Sequence, residues 1–178
     1  MSLTTATSTI NRSAVPDDGR YTAEQDVSFL VLRAFYNLRG MLDRMLAEHE
    51  LDEWVRPGMG PILYALYEAD DCTISDIAGR VQLAASTLTN TLKRMEKNRL
   101  VKLTKCSEDR RAVRVKLMPL ARRLEAKMHE LRREVRSVLH GDMSERQITQ
   151  TKKLLTQMIE AMEIHEWESK HPRNKTKQ

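Results

Sequence analysis

Apolar residues recur every three to four positions in three long stretches of this chain. The stretches cover residues 27–46, 120–138 and 148–162. This spacing places the apolar side chains on one face of an α-helix. Ahead of the first and third stretches, Thr22 and Ser144 each stand three positions before a glutamine, which is capping-box spacing for a helix start. The pattern therefore predicts one long helix near the beginning of the chain and two toward its end.

Shorter elements are predicted between the first two long helices. Proline and glycine residues interrupt the apolar period, and a short helix follows over residues 62–69. A loop over residues 70–72 then leads to Thr73, which can cap a helix over 74–81. After a connection of a few residues, another helix starts near Ala85 and ends around Asn98, a residue type that tolerates the left-handed conformation at a helix end.

The helix that ends at Asn98 has two contrasting faces. Leu88, Leu92 and Met95 are spaced to form a buried stripe. The opposite side carries hydroxyl, amide and ammonium groups, on Ser86, Thr89, Asn90, Lys93 and Lys97. Short side chains near the start of such a helix can approach base edges in the major groove, and the later cations Lys93 and Arg94 can reach guanine or phosphate. The alternative is an ordinary solvated helix face.

Residues 101–104 and 113–117 alternate between apolar and polar types, which predicts a β-hairpin with a cationic upper side. The connection between them is too long for a two-residue turn and should project as a wing. Arginine on a wing suits the narrow, electronegative minor groove. We interpret Asp109 as a brace that orients one of the neighbouring arginines, Arg110 and Arg111. The alternative is an exposed hairpin with solubilising charges.

Composition favours a mostly α fold of the α+β type. Of the 178 residues, 40% are hydrophobic, 31% are charged and only 4% are aromatic. The net charge of +5 is small, so its placement decides whether polyanions are partners. The cations on the predicted helix and wing favour DNA.

Missing motifs exclude several classes of protein. The sequence contains no P-loop, GxSxG or HExxH, and we expect no enzyme activity. Cys72 and Cys106 lack the spacing of a metal site and are too few for a disulfide framework. No apolar stretch has the length of a membrane span, and the first 21 residues have no apolar signal segment. We therefore expect a cytoplasmic protein without metal or cofactor.

The long terminal helices carry more apolar surface than a small helix-turn-helix can cover. A second subunit would cover it, and a two-fold dimer would present two recognition helices to two half-sites of a pseudo-palindrome. The alternative is a monomer whose terminal helices fold over the helix-turn-helix.

Two segments carry a family resemblance: STLTNTLKRMEKNRLV, residues 86–101, and DRRAVRVKL, residues 109–117. In these segments the chain resembles the MarR family of bacterial transcription regulators, over roughly residues 25–165. The resemblance implies a homodimer with a winged helix-turn-helix, and a repressor that a small ligand releases from DNA.

The resemblance also implies roles for individual residues. Contacts to bases or to the DNA backbone are implied for Ser86, Thr87, Thr89, Asn90 and Lys93. Arg111 matches the wing arginine that enters the minor groove, and Arg110 becomes a phosphate contact. The chain departs from the family at Arg99, where a helix-ending glycine is usual, and at Ala84, where a capping Ser or Asp is common.

Family ligands are often aromatic carboxylates or phenolic compounds, bound where the dimerisation helices meet the DNA-binding part. Here that pocket would be lined by Arg33, Phe35, Tyr36, Arg39, Met59, Ile62 and Tyr64; the alternative for the apolar members is a plain core role. Redox-sensing members carry a cysteine in the first helix, and this chain has none there. The run Glu48, His49, Glu50 is interpreted as a solvated helix end rather than a zinc site.

These observations predict one domain over residues 22–168, between a flexible arm (1–21) and a flexible tail (169–178). Residues 22–50 and 118–168 form dimerisation helices, and residues 58–117 form the DNA-binding winged helix-turn-helix. We expect a sequence-specific, ligand-responsive homodimeric repressor. The alternative is a winged-helix protein-protein interaction module without specific DNA binding.

Overall fold

The structure, a computed structural model, describes residues 26–106 and 112–170. Within these residues lie six helices: α1 (Val27–Glu48), α2 (Gly60–Glu68), α3 (Ile74–Val81), α4 (Ala85–Lys97), α5 (Pro119–His140) and α6 (Glu145–Lys170). Three short strands complete the fold: β1 (Cys72–Thr73), β2 (Val101–Lys105) and β3 (Val113–Leu117). The predicted mostly helical fold with a winged helix-turn-helix is confirmed.

The sheet is antiparallel and has the strand order β1-β3-β2. Strands β2 and β3 form the predicted hairpin, with Val101 opposite Leu117 and Lys105 opposite Val113. The prediction of a loop through Cys72 was wrong, because Cys72 pairs with Val115 at the start of a third strand. Two residues are too few to show an alternating pattern, so this strand exists only through its tertiary pairing.

One hydrophobic core joins helices α2 to α5 and the sheet. Its fully buried side chains include Leu63 and Leu66 from α2 and Ile77 from α3. The predicted stripe of α4 is confirmed, since Leu88, Leu92 and Met95 are all completely buried. The terminal helices contribute far less: among the described side chains of α6, only Ile148 is buried.

Two helix starts lie where a cap was predicted, and both have the hydrogen bonds of a capping box. Thr73 Oγ1 accepts from the Asp76 amide at 3.2 Å, and Asp76 Oδ2 accepts from the Thr73 amide at 2.9 Å. Before α6, the Ser144 amide donates to Gln147 Oε1 at 2.8 Å. Helix α1 begins at Val27, where Asp26 accepts from the Ser28 amide at 2.7 Å. The box predicted at Thr22 lies outside the described residues.

The end of α4 differs from the prediction. Asn98 has φ −82°, and Arg99 is the residue in the left-handed region, with φ 57°. The Arg99 amide donates to Glu96 O and the Leu100 amide to Met95 O, both at 2.9 Å, which is the hydrogen-bond pattern of a Schellman motif. Asn98 instead donates through Nδ2 to Trp54 O at 2.6 Å, which ties the end of α4 to the loop after α1.

Much apolar surface remains uncovered on the terminal helices. On α1, Phe29, Phe35 and Tyr36 are each more than half exposed. A cleft of about 730 Å³ lies between α1 and α6, lined mainly by apolar side chains such as Leu32 and Met162. None of the described helices has the length and hydropathy to cross a bilayer.

The chain ends fall mostly outside the described residues. The predicted flexible arm, residues 1–21, and residues 171–178 of the predicted tail belong there. Helix α6 continues to Lys170, three residues past the predicted end near Trp167.

Candidate DNA-binding surface

Helices α3 and α4 form the helix-turn-helix. Gln82 ends α3 in the left-handed region, with φ 50°, and its amide donates to Ala78 O at 3.0 Å. This sharp reversal lets α4 begin only three residues later, at Ala85. Because Leu88 and Leu92 anchor α4 in the core, the rotation of the helix about its axis is set, and its polar side must face outward.

The six predicted contact residues of α4 lie together on this outward side. Five are exposed and Thr89 is half-buried: Ser86, Thr87, Thr89, Asn90, Lys93 and Arg94. At ~100° per residue they span an arc of about 160°. Thr89 Oγ1 donates to Ala85 O at 2.8 Å, so its hydroxyl hydrogen is already engaged within the helix. The arrangement offers amide, hydroxyl and cationic groups to a groove.

The start of α4 has backbone amides without a side-chain acceptor. Its N-cap residue, Ala84, makes no side-chain hydrogen bond to the first turn, as its residue type dictates. These amides, at the positive end of the helix dipole, can donate to an anion such as a DNA phosphate. Because Ala84 stands where a capping Ser or Asp is common, no N-cap side chain occupies the first amides of α4. These amides can bind a ligand such as a phosphate instead.

The wing is described only at its base. The predicted brace Asp109 and the predicted wing arginines Arg110 and Arg111 lie outside the described residues. On the outer face of the hairpin, the exposed side chains of Lys102 and Lys116 stand opposite each other in the strand register. Like charges in that position repel unless an anion lies between them.

Arg114 lies on the same outer face but is held by the protein itself. Its Nε donates to Asp71 Oδ1 at 2.9 Å, and a second guanidinium nitrogen donates to the Asp71 carbonyl. The hydrogen bond to Asp71 raises the pKa of Arg114 further above its ordinary range. Asp71 itself has φ 53°, so the loop is bent to present both acceptors. One cation of the predicted basic face is therefore engaged in holding the hairpin.

The neighbouring Asp70 extends this network to α5. Its Oδ1 accepts from the Leu117 amide at 2.7 Å and from the Asp71 amide at 2.8 Å, and its Oδ2 accepts from Arg122. The loop after α2 thus joins β3 and α5. Sequence reasoning missed this network, because its partners lie 43 to 52 positions apart.

Two further pKa shifts report on local packing around β1. Hydrogen bonds from Thr73 lower the pKa of Asp76, so its carboxylate stays ionised at the start of α3. Burial raises the pKa of the Cys72 thiol, which favours the protonated form. A buried, protonated thiol is a poor nucleophile.

The structure does not bring the seven predicted pocket residues together. Met59 and Ile62 are buried in the core, while the α1 members are exposed: Arg33, Phe35, Tyr36 and Arg39. A cavity of about 230 Å³ instead lies where α1, α2 and α5 meet, and of the seven only Tyr64 lines it. The cavity walls that the prediction missed include Leu42, Arg56, Arg132 and Val135. No short-range pattern indicates these residues, because they converge from α1, from the loop before α2 and from α5.

The run Glu48, His49, Glu50 connects α1 to α5. His49 Nε2 lies 3.0 Å from Glu134 Oε2, and Lys127 Nζ donates to Glu50 Oε2 at 2.7 Å. Within residues 26–106 and 112–170, no three His, Cys, Asp or Glu side chains are grouped so that they could hold a metal ion.

Sequence comparison points to one family. The model of the MarR family matches residues 60–113, from the start of α2 to the start of β3. An uncharacterised HTH-type transcriptional regulator of Bacillus subtilis, YsmB, is 46% identical over 59 residues. That alignment covers 33% of this chain and 40% of the length of YsmB.

Solved structures extend the likeness to the terminal helices. PcaV, a transcriptional regulator of Streptomyces coelicolor solved with its natural ligand, superposes with a TM-score of 0.68 at 15% identity, over 80% of this chain and 98% of its own. BpsR of Bordetella bronchiseptica is a protein whose DNA binding is regulated by 6-hydroxynicotinic acid. It superposes with a TM-score of 0.63 at 21% identity, over 79% of this chain and 98% of its own. MepR of S. aureus, solved with DNA, superposes with a TM-score of 0.62 at 23% identity, over 80% of this chain and 99% of its own. These likenesses establish the shared fold.

Proposed function

Because residues 60–113 match the MarR family and the chain has the fold of solved transcriptional regulators, we propose that this protein is a sequence-specific DNA-binding transcription regulator. The observation that carries the proposal is the polar arc of α4, opposite a stripe of completely buried residues. The matched family and the named relatives are transcription regulators and not enzymes, in agreement with the absence of catalytic motifs.

In this proposal α4 enters the major groove. Its contacts to bases and phosphates come from Ser86, Thr87, Thr89, Asn90, Lys93 and Arg94. Asn90, exposed in the middle of the arc, is suited to a bidentate pair with adenine. Arg111 enters the adjacent minor groove, with Arg110 on a phosphate and Asp109 as the brace of the wing.

We further propose that two copies pair through their terminal helices, residues 22–50 and 118–168. The apolar side chains exposed on α1 and α6 support this pairing, since none of the described residues covers them. A two-fold dimer would place the two winged helix-turn-helix parts, residues 58–117, on half-sites of a pseudo-palindromic operator.

A ligand-responsive repressor is the form of regulation that we propose. The cavity at the junction of α1, α2 and α5 supports a small effector, such as an aromatic carboxylate or a phenolic compound. The regulation of BpsR by 6-hydroxynicotinic acid and the ligand complex of PcaV lend support by analogy of fold.

A titration of operator DNA by fluorescence anisotropy tests the proposal. Asn90→Ala should cost ~1–3 kcal/mol at one base position, because a bidentate contact is lost. Arg111→Ala should weaken binding and alter the preference in the minor-groove flank. Affinity should also fall steeply with salt concentration, since each phosphate contact releases counterions.

Arg136→Ala is the matched control, because Arg136 is an exposed cation of α5 outside the proposed surface. It should leave affinity unchanged. If the wild-type protein binds no duplex from its own promoter region at physiological salt, specific DNA recognition is refuted, and a winged-helix interaction module becomes the better description.

A further inference from the structure

A hydrogen bond joins helix α4 to the hairpin partway along strand β2. The Leu103 amide donates to Oε1 of Glu96, the next-to-last residue of α4, at 2.9 Å. We call this contact the edge bond. Leu103 is the third of the five residues of β2, and β2 leads from the base of the hairpin toward the wing. The edge bond therefore holds the hairpin beyond its base, on the side of the wing.

The position of β2 in the sheet explains why the Leu103 amide needs this partner. Strand β2 lies at an edge, since the strand order is β1-β3-β2. The Cys106 amide, directly after β2, donates to Ala112 O, directly before β3. In an antiparallel ladder every second residue bonds to the neighbouring strand, so the amide of Leu103 points away from β3. An edge strand leaves such amides without a backbone acceptor, and Glu96 supplies one.

Glu96 stands at the rim of the polar arc of α4. At ~100° per residue it lies about 20° beyond Thr89, the residue that ends the arc on that side. Its side chain is exposed, and no ion pair within residues 26–106 and 112–170 engages it. A carboxylate beside the proposed DNA-binding surface repels phosphates, so its charge gives DNA binding no advantage. Its hydrogen bond to β2 is what it contributes.

We propose that Glu96 is a positioning residue that fixes the wing relative to α4 through the edge bond. This inference rests on the proposed function, in which α4 enters the major groove and the wing enters the adjacent minor groove. Both grooves can be contacted together only when the angle between α4 and the hairpin matches the offset between the grooves. A hairpin that is already fixed at this angle loses little conformational entropy when it binds DNA. Glu96 therefore governs recognition of the minor-groove flank and not of the bases under α4.

Three variants of Glu96 separate the reach of its side chain from its charge. Glu96→Gln keeps an acceptor oxygen at the same reach and removes the charge. Glu96→Asp keeps the charge on a side chain one methylene shorter, and Glu96→Ala removes both features. Because Glu96 is exposed, all three variants leave the core intact. In a positioning role Glu96→Gln resembles the wild type and Glu96→Asp resembles Glu96→Ala, whereas a role of the charge gives the opposite pairing.

Amide hydrogen exchange of the full chain, measured by NMR without DNA, tests the edge bond. The Leu103 amide should exchange at similar rates in the wild type and in Glu96→Gln. In Glu96→Asp and Glu96→Ala it should exchange about three- to tenfold faster, which corresponds to the loss of one hydrogen bond. The amides of Lys102 and Thr104 face β3 and should keep their rates in all four proteins. A general loss of stability would accelerate all three amides.

Anisotropy titrations with operators that differ only in the minor-groove flank measure the consequence for recognition. The wild type and Glu96→Gln should prefer the same flank. This preference should fall about three- to tenfold in Glu96→Asp and Glu96→Ala, while the preference at the base contacted by Asn90 should stay unchanged. A ratio of affinities is the proper measure, because a change in the charge of the protein acts alike on all operators of the same length.

The two measurements fail in distinguishable ways. Equal exchange rates of the Leu103 amide in all four proteins would overturn the edge bond. Faster exchange without a loss of flank preference would overturn the positioning role, as would equal losses in Glu96→Gln and Glu96→Ala or a wild type that binds DNA without flank preference. A wild type that binds no operator would refute the regulator and with it the role of Glu96 in recognition, and the exchange rates would then decide the edge bond by themselves.

Discussion

Arg114 is a cation of the basic hairpin that is engaged by a carboxylate of the same chain and is not left free for DNA. Its side chain points to the outer face of the sheet, beside Lys102 and Lys116, yet Asp71 accepts two of its hydrogen bonds. Because Asp71 belongs to the loop after α2, the pair fixes the base of the wing relative to the helix-turn-helix. A rigid base is what an arginine at the wing tip needs to reach one groove reproducibly.

Replacing Asp71 with Asn should loosen the wing more than it destabilises the fold. Both side chains of the pair are more than a third exposed, so the free energy of unfolding should fall by about 1 kcal/mol or less. Operator affinity should fall, and limited proteolysis within the hairpin should accelerate. Asp52→Asn, at an exposed loop position, is the control for the loss of one charge. Unchanged proteolysis would contradict a positioning role for the pair.

Local residue chemistry made several features of this chain predictable. The helix cap at Thr73 and the buried stripe of α4 follow from patterns within four or seven positions, and both were predicted. The pocket residues Phe35 and Tyr36 were placed by family resemblance, and they lie exposed on α1, away from the junction cavity. Contacts such as Arg114 with Asp71 depend on the tertiary fold, and no periodicity in the sequence carries them.

The end of helix α4 shows how one element keeps a strained residue. Arg99 occupies the left-handed region that a non-glycine residue enters at a cost of roughly 1–2 kcal/mol. Its amide and that of Leu100 close the helix through the Schellman hydrogen bonds. The departure from the family's usual glycine was visible in the sequence, but the prediction assigned the left-handed conformation to Asn98. Asn98 instead has φ −82° and ψ 9°, and its side chain donates to Trp54 O.

Arg99→Gly should raise the free energy of unfolding by about 1 kcal/mol, because glycine adopts positive φ without the steric cost. Chemical denaturation measures this change. Lys97→Gly, two residues earlier and inside the helix, should have the opposite sign, with a loss of ~1 kcal/mol. If both variants changed the free energy of unfolding in the same direction, the positive φ of Arg99 would not be the cause of the effect at position 99.

The strand β1 marks the limit of prediction at the level of elements. Helices and the hairpin were predicted because their patterns repeat over four or more residues. Cys72 and Thr73 form a strand because β3 offers a free edge to them, and the loop network of Asp70 holds them there. A two-residue element of this kind depends on its neighbours more than on its own residue types.

At the scale of the molecule, helices α1 and α6 carry many apolar side chains that stay exposed among residues 26–106 and 112–170. In the proposed dimer they form the interface, so a charge placed there should separate the subunits. Leu155→Glu, on an exposed apolar position of α6, should give a monomer or a much weaker dimer in light scattering coupled to size exclusion. Gln157→Glu introduces the same charge at an exposed polar position of the same helix and should leave the dimer intact. A wild-type chain that is monomeric at micromolar concentration would contradict the dimer itself.

Because so little of α6 is buried, the fraction of chains in which this helix is ordered should depend on the concentration of the protein. A helix of 26 residues, with Ile148 as its one buried member among the described side chains, draws little stability from its own chain. In the proposed dimer, ordering of α6 is coupled to subunit association, and dimer formation depends on the square of the monomer concentration. A cell holding few copies would contain chains with a folded core but frayed ends and no paired recognition helices. Occupancy of an operator would therefore change more than linearly with the concentration of the protein. Synthesis and dilution of the protein would alter this occupancy even without an effector.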